Sequence, residues 1–381
     1  MKTISAVLYK MEEPAPYAES KPLVVEELDL DGPGPGEVLV EVAGAGLCHS
    51  DLSVIDGARP RVMPMVMGHE ASGIVREVGP GVRDLAAGDH VVFSFVPACG
   101  HCLPCATGRP ALCETGARTN LAGTLLAGTR HFHNQDGAAL NHHLGVSAFS
   151  QYTVAARESL VKIDPGVPLD IAALFGCAVL TGAGAVFNTA RVEPGSGVAV
   201  FGLGGVGLSA VMAARAAGAY PILAVDLLEG KLALAREVGA SHTVNAREAD
   251  PVAAVKEITA GGAHYAFESV GSERVLAQAY GATRRGGTTV TLGLPHPSKI
   301  FAVSAVTLVA EERTVKGSYM GSAVPARDIP RFIALYQAGL LPVDRLLTRT
   351  IALDEVNAGF DALARGDAVR QIIRFAPAPS A

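Results

Sequence analysis

Four cysteines crowd one Gly- and Pro-containing loop in the pattern Cys99-x-x-Cys102-x-x-Cys105-x7-Cys113. Thiolates spaced this way suit tetrahedral zinc, and four of them around a dication leave a net charge of about −2 and no open position. Such a zinc is structural. A nucleic-acid zinc finger is the rival use, but no basic or aromatic helix flanks the loop. Clustering of this kind in a large chain also disfavours disulfides, although the total of six cysteines is even. A second motif, Gly202-Leu-Gly204-Gly205-Val206-Gly207, follows the strand-like run VAVF and opens an Ala-rich helical run. There the first Gly permits a tight turn, the second lets a pyrophosphate approach the backbone, and the third lets helix and strand pack closely. Asp226 ends the next strand-like run, 19 residues after Gly207. A carboxylate there binds both hydroxyls of an adenosine ribose. It would repel the extra phosphate of NADP, so NAD is the expected cofactor, with Lys231 as a further donor to the same ribose.

The elements that must position these groups change character along the chain. Residues 37–42, 73–78 and 90–93 are short alternating runs separated by Gly and Pro, which implies a barrel or sandwich. From about Ser196, strand-like runs ending at Asp226, Phe267 and Leu292 alternate with helical ones, the pattern of a parallel α/β sheet. Beyond about Met320 a helical stretch, 329–337, and a strand-like one, 371–375, depart from that pattern and are expected to rejoin the first domain. Residues 301–306 read as a strand at the sheet edge, available for pairing of subunits.

Length and composition bound the possibilities. The 381 residues suggest two or three domains, and 49% hydrophobic with 18% charged residues exclude a disordered or collagenous chain. A net charge of −6 without runs of Lys or Arg argues against nucleic-acid or anionic-membrane partners and points to a small molecule. The start, MKTISAVLYK followed by Glu12 and Glu13, has no secretory pattern, so cytoplasm is the expected compartment. Residues 171–187 and 196–214 carry no charge over nearly the length of a membrane span, but their glycines suit buried strand, turn and helix instead.

Several motifs together carry a family resemblance: Gly-Leu-Cys48-His49-Ser50-Asp51, Gly68-His69-Glu70, the four-cysteine loop, Phe175-Gly-Cys177-Ala-Val-Leu-Thr181-Gly and the glycine motif. Over essentially its whole length the chain resembles the zinc-dependent medium-chain alcohol dehydrogenases. Residues 142–152 and the long loop before them are similar to the liver-type and glutathione-dependent formaldehyde dehydrogenase branches. The resemblance implies a GroES-like, β-rich catalytic domain over 1–179, with the structural-zinc loop at about 97–115. It implies a doubly wound Rossmann domain over 180–320 and a return to the catalytic domain over 321–381. It makes Cys48, His69 and Cys177 the ligands of a catalytic zinc with an open fourth position, giving two zincs per chain. Two cysteines and a histidine are the set for which alcohol dehydrogenase is the standard example, so this trio comes from the likeness and not from spacing. Asp51 would bond His69 and fix its tautomer, with Glu70 close behind the metal. His49 and Arg370 would meet the pyrophosphate, Ser50 would take the alcohol proton, and Thr181 would seat the nicotinamide. Phe95, His143 and Leu294 would line the pocket, Leu294 also touching the cofactor.

Departures from the family pattern bear on substrate. Ser53 stands where liver-type enzymes end their proton relay with a histidine, so water is the expected exit. Gly57-Ala-Arg59-Pro-Arg61 lacks the acid that the glutathione-dependent branch uses to hold its adduct, and the long loop offers Ala117 or Arg118 where that branch has arginine. His143 replaces an aromatic residue common in relatives, making the pocket roomier or more polar. The expected activity is reversible hydride transfer between NAD and medium-chain or aromatic primary alcohols and their aldehydes, in a homo-oligomer, dimer or tetramer. Two alternatives stay open: a thiol-dependent formaldehyde dehydrogenase, and a non-catalytic protein that binds zinc and dinucleotide.

Overall fold

A computed structural model describes residues 1–375, which form two compact units. One comprises Met1–Cys177, Val324–Pro330 and residues 347–375; the other comprises Ala178–Ala323 and Arg331–Leu346.

In the first unit, strands Lys2–Leu8, Leu23–Leu30, Phe132–His133, Ala139–His142 and Met65–Val66 close a small barrel. Leu28 and Leu30 are buried and Asp29 between them is exposed, as a strand with one apolar face requires. Val7, Leu28, Leu30, Val66, Phe132 and Leu140 share its core. Each such side chain contributes roughly 1.5–3 kcal/mol when fully buried. Beside the barrel runs a sheet in the order Leu160–Lys162, His90–Phe93, Glu70–Val78, Glu37–Gly46, Arg370–Arg374 and Leu347–Ile351. Two registers in this sheet matter for function. Gly46 pairs with Glu70 on one side and with Ile372 on the other. The residues just after Gly46, just before Glu70 and at the start of the last strand therefore meet at one end of the sheet.

The second unit holds a six-stranded parallel sheet in the order His242–Asn245, Ile222–Asp226, Val198–Phe201, Ala263–Glu268, Thr283–Thr291 and Thr314–Gly317. Helices Gly205–Ala216, Glu229–Val238, Pro251–Ile258 and Glu273–Ala282 make the crossovers. Chain order reverses between Val198–Phe201 and Ala263–Glu268, the crevice in which open α/β sheets bind ligands. Val198–Phe201 is buried throughout, as expected of a central strand covered on both faces.

The structure corrects two expectations. Residues 301–306 form no strand: Thr307 returns both its amide (3.1 Å) and its hydroxyl (2.8 Å) to the Ser304 carbonyl, opening helix Ala305–Ala310. The sheet edge is Thr314–Gly317 instead. Nor does 321–381 return as one block, because Arg331–Leu346 groups with the second unit, where Phe332 packs its ring 5.8 Å from that of Phe187. Among the described residues no single helix is long and apolar enough to cross a membrane. The bent pair Leu169–Gly176 and Ala178–Ala190 passes that test only together. Most of its residues are buried in the fold.

Candidate functional site

Cys48 leaves strand Glu37–Gly46 and caps helix His49–Ile55. Asp51, in the first turn of that helix, accepts the Cys48 amide on Oδ2 at 3.1 Å and the His69 ring on Oδ1 at 2.8 Å. His69 immediately precedes strand Glu70–Val78, so the Gly46–Glu70 register brings it to Cys48. Cys177 arrives from a turn of 3-10 helix, Ala173–Gly176. A Cβ on Gly176 would lie 2.3 Å from the Phe93 carbonyl, so only glycine allows that approach. The Cys48 and Cys177 sulfurs, a His69 ring nitrogen and a Glu70 carboxylate oxygen lie within 4.8 Å of one another, all buried. With Nδ1 held by Asp51, His69 Nε2 is buried and makes no hydrogen bond. An imidazole nitrogen buried this way costs roughly 1–3 kcal/mol, and beside two soft sulfurs it is what a zinc site supplies. The donor set fits that metal.

Electrostatics support the same reading. The Cys177 thiol hydrogen-bonds to Cys48 and, against the cost of burial, holds the Cys48 thiol well below its usual range, with help from Arg370 and His69. Cys177 is pushed up in turn by that bond and by burial. Burial opposes charge on His69, but Asp51 and Cys48 outweigh it and raise the ring's pKa. A dication displaces these protons on binding.

The other four cysteine sulfurs also lie within 4.8 Å of one another, and all six cysteines are free thiols. Backbone amides point at the sulfurs: Cys99 and Gly116 donate to Cys113 at 3.3 Å each, and Cys102 donates to Cys99 at 3.4 Å. Burial raises the Cys99 pKa, but amides of His101 and Cys102 prevail and bring it to about 6. Burial pushes Cys105 up to about 12.

In the second unit the three motif glycines divide the work. Gly202 has φ +87°, Gly204 has open space where a Cβ would stand, and a Cβ on Gly207 would lie 1.9 Å from the Gly202 carbonyl. Gly204 caps helix Gly205–Ala216, leaving the first-turn amides, Gly205 and Val206 among them, directed at the open side. This cradle fits a phosphate. Asp226 ends its strand and accepts amides of Leu203 (2.7 Å), Leu227 (2.7 Å) and Leu228 (3.1 Å). The sequence offered no sign of this bracing between the two loops. Lys231 lies in the first turn of helix Glu229–Val238, Thr181 is buried in helix Ala178–Gly184, and Leu294 is 53% exposed.

Around the cysteine–histidine cluster, Phe95 meets His69 edge-on with ring centroids 5.4 Å apart, and His143 does so at 5.6 Å. His49 is exposed and Ser50 half-buried. Ser53 donates its hydroxyl to the His49 carbonyl at 2.8 Å. Arg370, expected at a phosphate, is instead 3% exposed: it donates to the Leu47 carbonyl at 3.1 Å and stands 3.6 Å from Glu70. Sequence reasoning missed that burial, and it also missed the contact of His143 with Asp51 at 3.2 Å. Both contacts depend on strand register and loop path, which leave no local signal.

Comparison with known proteins agrees with this geometry. Residues 34–165 match the alcohol dehydrogenase GroES-like domain family, and residues 205–338 match the zinc-binding dehydrogenase family. The chain is 41% identical over 377 residues to the NDMA-dependent alcohol dehydrogenase of Amycolatopsis methanolica, covering 98% of this chain and 99% of that one. It is 37% identical to the S-(hydroxymethyl)glutathione dehydrogenase of Paracoccus denitrificans, covering 93% and 97%. The crystal structure of benzyl alcohol dehydrogenase from Acinetobacter calcoaceticus superposes with a TM-score of 0.90 at 36% identity, covering 99% and 100%. With both domain families matched and a donor set suited to zinc, the chain belongs to the zinc-dependent medium-chain alcohol dehydrogenases.

Proposed function

We propose that this protein is an NAD-dependent zinc alcohol dehydrogenase that interconverts medium-chain or aromatic primary alcohols and their aldehydes. The observation that carries the reading is the buried convergence of Cys48, His69 and Cys177, with Asp51 fixing the imidazole. In this reading those three residues hold one zinc, and Cys99, Cys102, Cys105 and Cys113 hold a second. When bound, the first zinc supplies Lewis acidity toward the alcohol oxygen and NAD accepts the hydride. Asp51 keeps a proton on His69 Nδ1, so that Nε2 presents its lone pair. Ser50, two residues past Cys48, takes the alcohol proton. The Ser53 hydroxyl is bonded to the His49 carbonyl, so water carries the proton onward. Arg370 offsets negative charge on Glu70 and the two sulfurs.

Phe95 and His143 wall the pocket beside His69, and Leu294 is a contact on the cofactor side. The amides of Gly204, Gly205, Val206 and Gly207 cradle the pyrophosphate, with His49 as a further contact. Asp226 and Lys231 take the adenosine ribose, Asp226 disfavouring NADP by charge. Thr181 seats the nicotinamide. The aromatic range is supported by likeness to the benzyl alcohol dehydrogenase. Cysteines grouped to hold metal as thiolates support a reducing compartment, the cytoplasm. Exposed Ile300, Val306 and Val309, near edge strand Thr314–Gly317 in sequence, support a homo-oligomer. The partners are small molecules, not nucleic acid or membrane.

The test is initial NADH formation by zinc-loaded protein with ethanol, 1-hexanol and benzyl alcohol, each repeated with NADP. NAD-linked turnover that is lost in His69→Ala supports the proposal. Turnover only with formaldehyde plus a thiol overturns it in favour of a thiol-adduct dehydrogenase, the activity that the name of the P. denitrificans relative records. No turnover under any condition, despite bound zinc and NAD, assigns a binding role.

A further inference from the structure

We propose that His143 is a positioning residue of the cysteine–histidine centre, fixing His69 through the carboxylate they share, as well as a wall of the pocket. The inference rests on the zinc reading above. A single oxygen, Asp51 Oδ1, stands 2.8 Å from His69 Nδ1 and 3.2 Å from His143 Nδ1, while Oδ2 takes the Cys48 amide at 3.1 Å. Asp51 is wholly buried and both rings are 1% exposed. An ionised carboxylate only accepts, so each ring must turn an N–H toward Oδ1; a neutral ring then keeps its lone pair on Nε2. The His69 contact is a hydrogen bond, whereas the His143 contact at 3.2 Å does not meet hydrogen-bond geometry and acts as a close electrostatic one.

The carboxylate thus takes two hydrogen bonds, from the Cys48 amide and His69, and meets the His143 ring on a third side. Without His143 it is held from two, and Oδ1 gains room to swing and to take the His69 ring with it. His143 itself is anchored by its backbone. Its amide donates to Ser147 Oγ at 2.9 Å, and that hydroxyl donates to the Val66 carbonyl at 2.9 Å, three residues before His69. The anchor therefore ties the loop carrying His143 to the segment that delivers the ligand. An apolar ring here would wall the pocket equally well but would offer Asp51 nothing.

The experiment compares His143→Phe, which keeps ring volume without the donor, with His143→Asn, which places an N–H near the position of Nδ1. Zinc affinity is read by competition with a chromophoric chelator, the ligand field from absorption of the cobalt-substituted enzyme, and turnover from kcat and KM. Loss of a partner that bonds a metal-ligating histidine typically costs 10–100-fold in metal affinity or activity; for this indirect partner the expectation is about tenfold. H143F should weaken one zinc site by that factor, shift the cobalt–thiolate bands and lower kcat more than it raises KM. H143N should recover most of each. The four-cysteine site should be unchanged in both and serves as an internal control. If H143F does not fold, His143→Met supplies the donor-free comparison. Wild-type zinc affinity and cobalt spectrum in the donor-free variant, with only KM altered, would overturn the proposal and leave His143 a pocket wall. Because zinc affinity is read without substrate, a protein that binds zinc as described but oxidises no alcohol would sink the proposed function separately.

Discussion

Two single-methyl substitutions in the glycine loop separate ligand contact from packing. At Gly204 a Cβ would meet nothing within 4 Å, and the backbone (φ −74°, ψ −174°) is open to any residue. Gly204→Ala should therefore fold normally. Reduced freedom of the unfolded chain stabilises by about 0.4–1 kcal/mol, and alanine is a poorer helix cap by a similar amount, so the two nearly cancel. At Gly207 the same methyl would lie 1.9 Å from the Gly202 carbonyl and 2.8 Å from Ser269 Oγ. Helix and strand must then separate by about an ångström, and overpacking of that order costs about 1–3 kcal/mol. The binding consequences run the other way round. The methyl of G204A occupies the space over which a pyrophosphate would approach. Displacing even one charge-assisted amide bond, worth about 1.5–3 kcal/mol, raises the Kd about tenfold or more. Thermal unfolding and calorimetric titration with NAD check both variants. G204A should keep its Tm and lose NAD affinity, whereas G207A should lose stability first. A G204A protein that keeps both its Tm and its wild-type Kd for NAD would refute the assignment of this loop to the pyrophosphate.

Asp226→Asn removes the charge and keeps one acceptor oxygen, enough for the Leu227 and Leu228 amides that share Oδ1, while its NH2 cannot accept from Leu203; the protein should stay folded at a cost of about 1–3 kcal/mol. The ratio of NAD to NADP affinity should fall by about tenfold, or 1.4 kcal/mol, and an unchanged ratio in competitive titration would count against the ribose assignment. Cys105→Ser should lower zinc from two to one per chain by elemental analysis while leaving the other site loaded, since the two cysteine groups share no residue. Acid sensitivity should come partly from His142, which burial and then His131 push down to about 3 from an ordinary 6.5. The ring is neutral when folded and takes a proton when unfolded, so its stabilisation is complete above about pH 6.5 and is lost as pH falls toward 3. The slope from this group is at most about 1.4 kcal/mol per pH unit. Glu37 adds to the loss at lower pH: burial works against its charge, but His131, Thr129 and the Gly34 amide hold its pKa below the usual range. Urea midpoints between pH 5 and 7 should slope less in His142→Gln than in wild type, and parallel slopes would exclude the histidine as the source.

What was legible in the sequence was what a few neighbouring residues decide among themselves. The glycine loop is local geometry, and the strand before it and the helix after it follow from apolar runs of different period. The four-cysteine loop is likewise local. Cys48, His69 and Cys177 stand far apart, and only likeness to a family joined them on paper. What joins them in space is the pairing of Gly46 with Glu70 and the close pass of Gly176 over Phe93. The same limit hid Arg370 behind Glu70 and His143 beside Asp51. At residues 301–306 the alternation of Phe301, Val303 and Ala305 mimicked a strand, and a Thr307 bond to Ser304 decided for a helical turn.

The pairing of the last strand, Arg370–Arg374, with residues 44–46 also sets an order of events during synthesis. Arg370 and the Leu47 carbonyl it bonds are 323 residues apart. At roughly 5–20 residues per second, a ribosome takes tens of seconds to add that length. Throughout that interval Gly44–Gly46 presents an open sheet edge at the place where the cysteine–histidine cluster forms, and Glu70 lacks the arginine beside it. A nascent chain, or one truncated before Arg370, carries an uncapped strand edge there, a template for pairing with another chain. The site is therefore complete only once strand Arg370–Arg374 has joined the sheet.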